Sequence, residues 1–319
     1  MKISVLGCGR WGTFIAWYLD KIGHDVILWG RESSKNFAEL KEHRKNSYLT
    51  LSDNVNLTND LGHSLNTSNI IIISIGSQSL RNLMEKVSLY NIENKTIVLC
   101  MKGIEISTNK RLTQVVDEFL PSSSNCAIWV GPGHVEDFVK GIPNCMVIDS
   151  KNEKTKELLV KEFSSELIRF YYGTDLIGNE IGAAAKNVVG IAAGMLDGLG
   201  YSSLKGALMS RGTREIARLI KAAGGNEISA YGLAHLGDYE ATLFSEHSHN
   251  RKFGELFIKG QPYDKLAEGV FTVKALLSMA KEYNVELPIS NTINDIINLK
   301  KDPKESLSSL FVRSIKREF

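Results

Sequence analysis

Short, uninterrupted apolar runs alternate with amphipathic stretches over roughly the first 175 residues. The runs are "KISVLG" (2–7), "DVILWG" (25–30), "IIIISI" (70–75), "TIVLCM" (96–101), "CAIWVG" (126–131), "NCMVID" (144–149) and "LIRFYY" (167–172). None shows polar–apolar alternation, so each predicts a strand buried on both faces, as in a parallel sheet covered by helices. Between the first two, "WGTFIAWYLDKIG" (11–23) carries helical periodicity and stops on Gly23. The β–α alternation predicts a doubly wound α/β domain.

After Asp175 the pattern changes. "LIGNEIGAAAKNVVGIAAGMLDGLG" (176–200) is rich in Ala and Gly and predicts a buried helix packed closely by its neighbours. Residues 203–225, 266–285 and 290–301 also have helical periodicity, and strand signals end. The chain therefore divides into an α/β part, 1–174, and an all-α part, 175–319. Residues 44–58 predict an irregular connection and "PSSSN" (121–125) a turn.

Composition narrows the function classes. With 319 residues, 43% hydrophobic, the chain can bury a sizeable core. A net charge of +2 argues against nucleic acid or an anionic membrane as partner, so any anion site must be local. No window approaches 18 consecutive apolar residues, and the apolar run in "MKISVLGCGRWG" is too short for a signal segment, so a cytoplasmic protein is expected. The four cysteines show neither CxxC nor zinc-ligand spacing, which predicts reduced thiols and no metal.

Candidate chemistry begins at Gly7-Cys8-Gly9-Arg10-Trp11-Gly12, a full G-x-G-x-x-G between a predicted strand and a predicted helix. In that setting Gly7 makes the tight turn, Gly9 lets backbone approach a pyrophosphate, and Gly12 lets helix and strand pack closely, the Rossmann arrangement. The second strand runs into Arg31, with Ser33, Ser34 and Lys35 following; this favours NADP(H), while Glu32 keeps NAD(H) possible. Lys102-Gly103 and Gly131-Pro132-Gly133-His134 follow strand ends, the rim where open α/β sheets bind ligands. Lys186 stands among small and apolar residues, where an ammonium needs a partner or a chemical task. Burial lowers a lysine pKa toward the range of proton exchange. Asn187 beside it is placed to orient a hydroxyl, and Asp238 is a natural partner for the lysine. "SHNRKFGE" (248–255) clusters His249, Arg251 and Lys252 about Asn250 and fits either a solvated loop or an anion site.

In order and spacing, "GCGRWGTFIA", "GHDVILWGR", "KGIE", "GPGHVEDFVKGIPN", "IGNEIGAAAKNVVGIAAGMLDGLG", "LAHLGD", "NRKFG" and "EGVFTVKAL" together resemble the bacterial-type NAD(P)-dependent sn-glycerol-3-phosphate dehydrogenase family. The resemblance covers nearly the whole chain. It implies a Rossmann domain, a helical substrate domain, a site between them, a homodimer, and reduction of dihydroxyacetone phosphate for phospholipid synthesis. By the same resemblance Arg10, Trp11, Arg31, Val135 and Glu268 are cofactor contacts, and Lys102 touches cofactor and substrate. Gly131 is a substrate contact, Lys186 the proton donor/acceptor, Asn187 its neighbour and Asp238 a substrate-site carboxylate. Ser248, His249, Asn250 and Arg251 match the segment at the phosphate end, with His249 also beside the cofactor.

Two positions depart from the family pattern. Gly133 stands where the family has Ser, and His249 where it has Arg. Arg offers phosphate a planar fork of donors, whereas His binds an anion strongly only when protonated. Three alternatives follow: glycerol-3-phosphate dehydrogenase with His249 and Arg251 sharing the phosphate, a dehydrogenase of another small anionic hydroxy or keto substrate, and a non-enzymatic NADPH sensor.

Overall fold

The computed structural model describes residues 1–310. Eight strands form one sheet: β1 (Lys2–Leu6), β2 (Asp25–Trp29), β3 (Asn56–Thr58), β4 (Ile70–Ile73), β5 (Thr96–Leu99), β6 (Asn125–Val130), β7 (Asn144–Ser150) and β8 (Ile168–Tyr172). Their order is β3-β2-β1-β4-β5-β6-β7-β8. All neighbours are parallel except β6 and β7, where Ala127 faces Ser150 and Val130 faces Val147. Every residue of β4 is buried, as an all-isoleucine strand must be when helices cover both faces. The order reverses between β1 and β4, and that switch point opens the crevice in which such sheets bind ligands.

Strand β3 corrects the expectation of an irregular connection over 44–58. It is a three-residue edge strand with no apolar run to mark it, joined to β2 through Leu28 and Leu57. All four cysteines are unpaired; Cys8 and Cys100 are buried, while Cys126 and Cys145 are only half-buried.

The sheet ends at Tyr172 and the helix Leu176–Gly198 begins the second half. Every residue from Gly178 to Leu196 is buried, because this helix forms the axis on which the others pack. No helix among the described residues is long and apolar enough to cross a membrane. The C-terminal boundary at 319 lies outside the described residues.

Glycines set how closely the axis is approached. The helix His249–Ile258 crosses it so tightly that a Cβ at Gly194 would lie 1.8 Å from the Arg251 carbonyl oxygen. In the reverse direction, a Cβ at Gly254 would lie 2.2 Å from the Ile191 oxygen. Glu268–Glu282 also touches backbone, its Gly269 having room for no Cβ beside the Asn187 oxygen at 2.6 Å. Since these neighbours are backbone atoms, no rotamer change can relieve a substitution. We expect Gly194→Ala to destabilise the fold by about 1–3 kcal/mol, read as a lower urea midpoint. Gly206→Ala, at a helical position with nothing within 4 Å, is the control and should be neutral or stabilising by up to about 1 kcal/mol.

Candidate active site

A cleft of about 560 Å³ lies where the C-terminal ends of β1, β4, β5 and β6 face the long axial helix. Its Rossmann wall begins at the glycine turn. Gly7 has φ +120°, and a Cβ there would meet the Ser74 oxygen at 2.2 Å; a Cβ on Gly12 would meet the Gly7 oxygen at 1.9 Å. Gly9, by contrast, has nothing within 4 Å of its Cβ position, so the backbone there lies bare to the cleft. The helix Arg10–Lys21 starts at this point with no acidic residue in its first turn, leaving its positive end uncompensated. Bare N–H groups at a positive helix end fit the pyrophosphate of a dinucleotide. Trp11 and Arg31 line the same wall with Ser34, whereas Gly12 and the buried Val135 lie behind it. Glu32 is exposed and does not line the cleft.

The two halves meet at a shared carboxylate. Lys102, just beyond β5, and Lys186, midway along the axial helix, each place Nζ 2.5 Å from the same Asp238 Oδ2. Lys102 Nζ also donates to the Gly131 carbonyl at 2.9 Å. Lys186 Nζ donates to Thr242 Oγ1 at 2.9 Å, and that hydroxyl donates to the Asp238 carbonyl at 2.7 Å. Thr242 is held by a single π-helical turn, Glu240–Phe244, a geometry often found at functional sites. Asp238 is 1% exposed and sits behind the lysines rather than on the wall. Burial lowers the Lys186 pKa to about 7; the Lys102 charge pushes the same way, and Asp238 opposes. Lys186 is therefore poised to give or take a proton near neutrality.

Next to it, Asn250 Nδ2 donates to Asn187 Oδ1 at 3.0 Å, while Asn250 Oδ1 accepts from the Gly269 N–H at 2.9 Å. With its oxygen engaged, Asn187 has its amide N–H groups left to offer a ligand. Glu268 closes this end, accepting from Ser77 Oγ at 2.8 Å; burial raises its pKa against those hydrogen bonds.

"SHNRKFGE" proves to be a helix start rather than a loop. Ser248 caps it, accepting from the Arg251 N–H at 3.3 Å. His249 and Asn250 line the cleft with Ser248, but Arg251 does not. Two residues along a helix rotate a side chain by about 200°. Arg251 consequently faces away, donating to Asp197 Oδ2 at 2.8 Å, Glu255 Oε2 at 3.2 Å and the Ser245 carbonyl at 3.0 Å. The expected sharing of a phosphate by His249 and Arg251 is corrected accordingly: of the two, only His249 reaches the cleft. Its Nδ1 lies 2.5 Å from Tyr263 Oη, and burial, then the charges of Arg10 and Lys265, lower its pKa.

Gly133 lines the cleft at φ +150°, and Phe138 explains the missing side chain. A Cβ at 133 would fall 2.3 Å from the Phe138 ring, which is itself held by stacking on Phe14 at 5.0 Å. Thr242, His134 and His247 also line the cleft, and the sequence alone assigned none of them a role. Only His134 stood in a quoted strand-end motif; the others give no local signal.

Comparison with known proteins agrees with this geometry. Residues 2–156 match the family model for the NAD-dependent glycerol-3-phosphate dehydrogenase N-terminus, and residues 175–308 the model for its C-terminus. The chain is 37% identical to glycerol-3-phosphate dehydrogenase [NAD(P)+] of Thermoanaerobacter sp. strain X514, covering 100% of this chain and 99% of that protein. It is 35% identical to the protein of that name from Fusobacterium nucleatum, covering 100% and 98%. Among solved structures, glycerol-3-phosphate dehydrogenase from Coxiella burnetii superposes with a TM-score of 0.92 at 26% identity, covering 98% of this chain and 99% of that one. With matching domains at both ends and relatives aligned over its full length, the chain belongs to the NAD-dependent glycerol-3-phosphate dehydrogenase family.

Proposed function

We propose that the cleft reduces dihydroxyacetone phosphate to sn-glycerol 3-phosphate, with Lys186 as the proton donor and, in the reverse direction, the acceptor. The observation that carries this is the pair of lysines on one buried carboxylate oxygen, at the seam between the dinucleotide cradle and the helical half. NAD(P)H, when bound, supplies the hydride. Gly7, Gly9, Arg10, Trp11 and Arg31 would hold it along the Rossmann wall, with Glu268 at the far end. Lys186 protonates the oxygen on which charge develops, so alkoxide does not accumulate. Lys102 and Asn187 fix that oxygen, and Asp238 holds both ammonium groups in place, which makes the encounter effectively unimolecular. Gly131, Ser248, His249 and Asn250 line the substrate's remaining path.

For the wider setting we infer a cytoplasmic homodimer that supplies glycerol 3-phosphate to phospholipid synthesis, a reading that the family resemblance supports. For the cofactor, Arg31 and Ser34 on the wall, with Glu32 turned out of it, support NADP(H) over NAD(H). Gly133 and His249 in place of Ser and Arg support a second reading, in which a related small anionic ketone is the better substrate. A panel of ketones assayed beside dihydroxyacetone phosphate decides between the two.

Lys186→Ala should leave nucleotide affinity intact by fluorescence titration while lowering kcat by about 10²–10⁴-fold; near-normal turnover would reject the role. Because the reductive direction needs the ammonium form, its kcat should fall as pH rises through about 7, while oxidation, needing the free amine, should rise over the same range. Arg31→Ala should raise KM for NADPH by about tenfold or more, leave KM for NADH within about twofold, and so collapse the preference; equal losses with both nucleotides would remove the basis for NADP(H).

A further inference from the structure

Three buried side-chain nitrogens among the described residues have no hydrogen-bond partner, and two of them, Arg10 Nε and His134 Nε2, belong to residues of the cleft. Leaving a buried donor unmatched is costly, so such groups mark a place where a ligand completes the structure. The His134 ring lies 5.6 Å from the His247 ring at 69°, and the His247 carbonyl accepts from Arg10 Nη1 at 3.5 Å. Arg10 is oriented by an ion pair with Glu136 and by the Tyr48 ring, 5.2 Å away. His249, one residue beyond Ser248, brings a third imidazole to the same cleft. Neither Arg251 nor a side chain at 133 contributes a donor here, since Arg251 is engaged by Asp197 and Phe138 fills the space beside Gly133.

We propose that the phosphate of the substrate is bound by imidazoles: His134 and His247 join His249, with Arg10 beside them, in place of an arginine fork. His134 and His247 are thereby assigned as substrate contacts. The inference rests on the triose-phosphate activity proposed above. The charges facing His134 are Arg10 from the first helix, Lys186 from the axial helix, Glu136 from its own helix and His247 from the opposing loop. Those facing His249 are Arg10, Lys265 and Glu136, with Tyr263 hydrogen-bonded to it. Burial, then these cations, lower both imidazole pKa values, which favours the neutral rings until an anion arrives. A phosphate dianion reverses that balance, and its binding takes up protons.

The test compares dihydroxyacetone phosphate with dihydroxyacetone, which lacks the phosphate, in wild type, His134→Ala, His134→Gln and His247→Ala. His134→Ala and His247→Ala should each lower the ratio of kcat/KM for the two ketones by about 10- to 100-fold, with NADPH affinity within about twofold of wild type. In wild type, KM for the phosphorylated ketone should rise with pH more steeply than in His134→Gln, whose amide can donate but cannot gain charge. An unchanged ratio in both alanine variants overturns the inference, as does a loss confined to NADPH affinity, which would assign the two nitrogens to the nucleotide's phosphates. Should wild type fail to turn over dihydroxyacetone phosphate, the functional proposal falls on its own, and inorganic phosphate becomes the probe. Calorimetric titration in two buffers of different ionisation enthalpy should then show proton uptake in wild type that His134→Ala loses; equal uptake in both would reject the imidazole site.

Discussion

A single buried carboxylate oxygen ties the molecule together. Asp238 Oδ2 receives an ammonium group from each half of the chain, Lys102 from just beyond the C-terminal end of β5 and Lys186 from the axial helix. One negative charge against two positive ones leaves the seam short of an anion, and in a water-poor pocket that imbalance is felt strongly. A ketone whose carbonyl oxygen becomes partly negative on reduction meets that deficit at its reacting centre. The same imbalance accounts for a lysine that titrates near neutrality although a carboxylate touches it: desolvation and the neighbouring ammonium outweigh the attraction.

Division of labour between the halves follows the chemistry. The cradle suited to a dinucleotide's pyrophosphate lies on the sheet side, where bare backbone at Gly9 meets the positive end of a helix. On the helical side, Asn187 and Asn250 form a hydrogen-bonded polar strip beside Lys186. A buried strip of this kind is tolerable only when its members satisfy one another, which the Asn250 bridge from Asn187 to the Gly269 N–H achieves.

Much of this was legible in the chain itself. Strands covered by helices carry apolar runs, so β1, β2, β4, β5, β6 and β7 announce themselves. β8 also showed as a run, although as an edge strand it leaves Arg169, Tyr171 and Tyr172 exposed. Lys186 stands out because no ammonium belongs among alanines without cause. β3 did not, because an edge strand of three residues needs no apolar run. The direction in which Arg251 points was hidden for a different reason. It depends on where the helix begins, and that is set by the Ser248 cap and by tertiary contact at Gly254. Thr242 and His247 were equally silent, since a lone hydroxyl or imidazole gains meaning only from neighbours far away in sequence. The Phe138 ring that forbids a side chain at Gly133 is the same kind of information: a constraint between two residues, written in neither.

The glycine-backed crossing of the axial helix also bears on how such an enzyme can change its substrate over evolutionary time. With carbonyl oxygens pressed against Gly194 and Gly254, the helix that begins at Ser248 can neither slide along its neighbour nor lift from it without breaking backbone contact. Pocket shape cannot drift by gradual backbone movement on that side. Novelty must come instead by exchanging side chains on a fixed frame, at positions such as His249, which lines the cleft from the first turn of that helix.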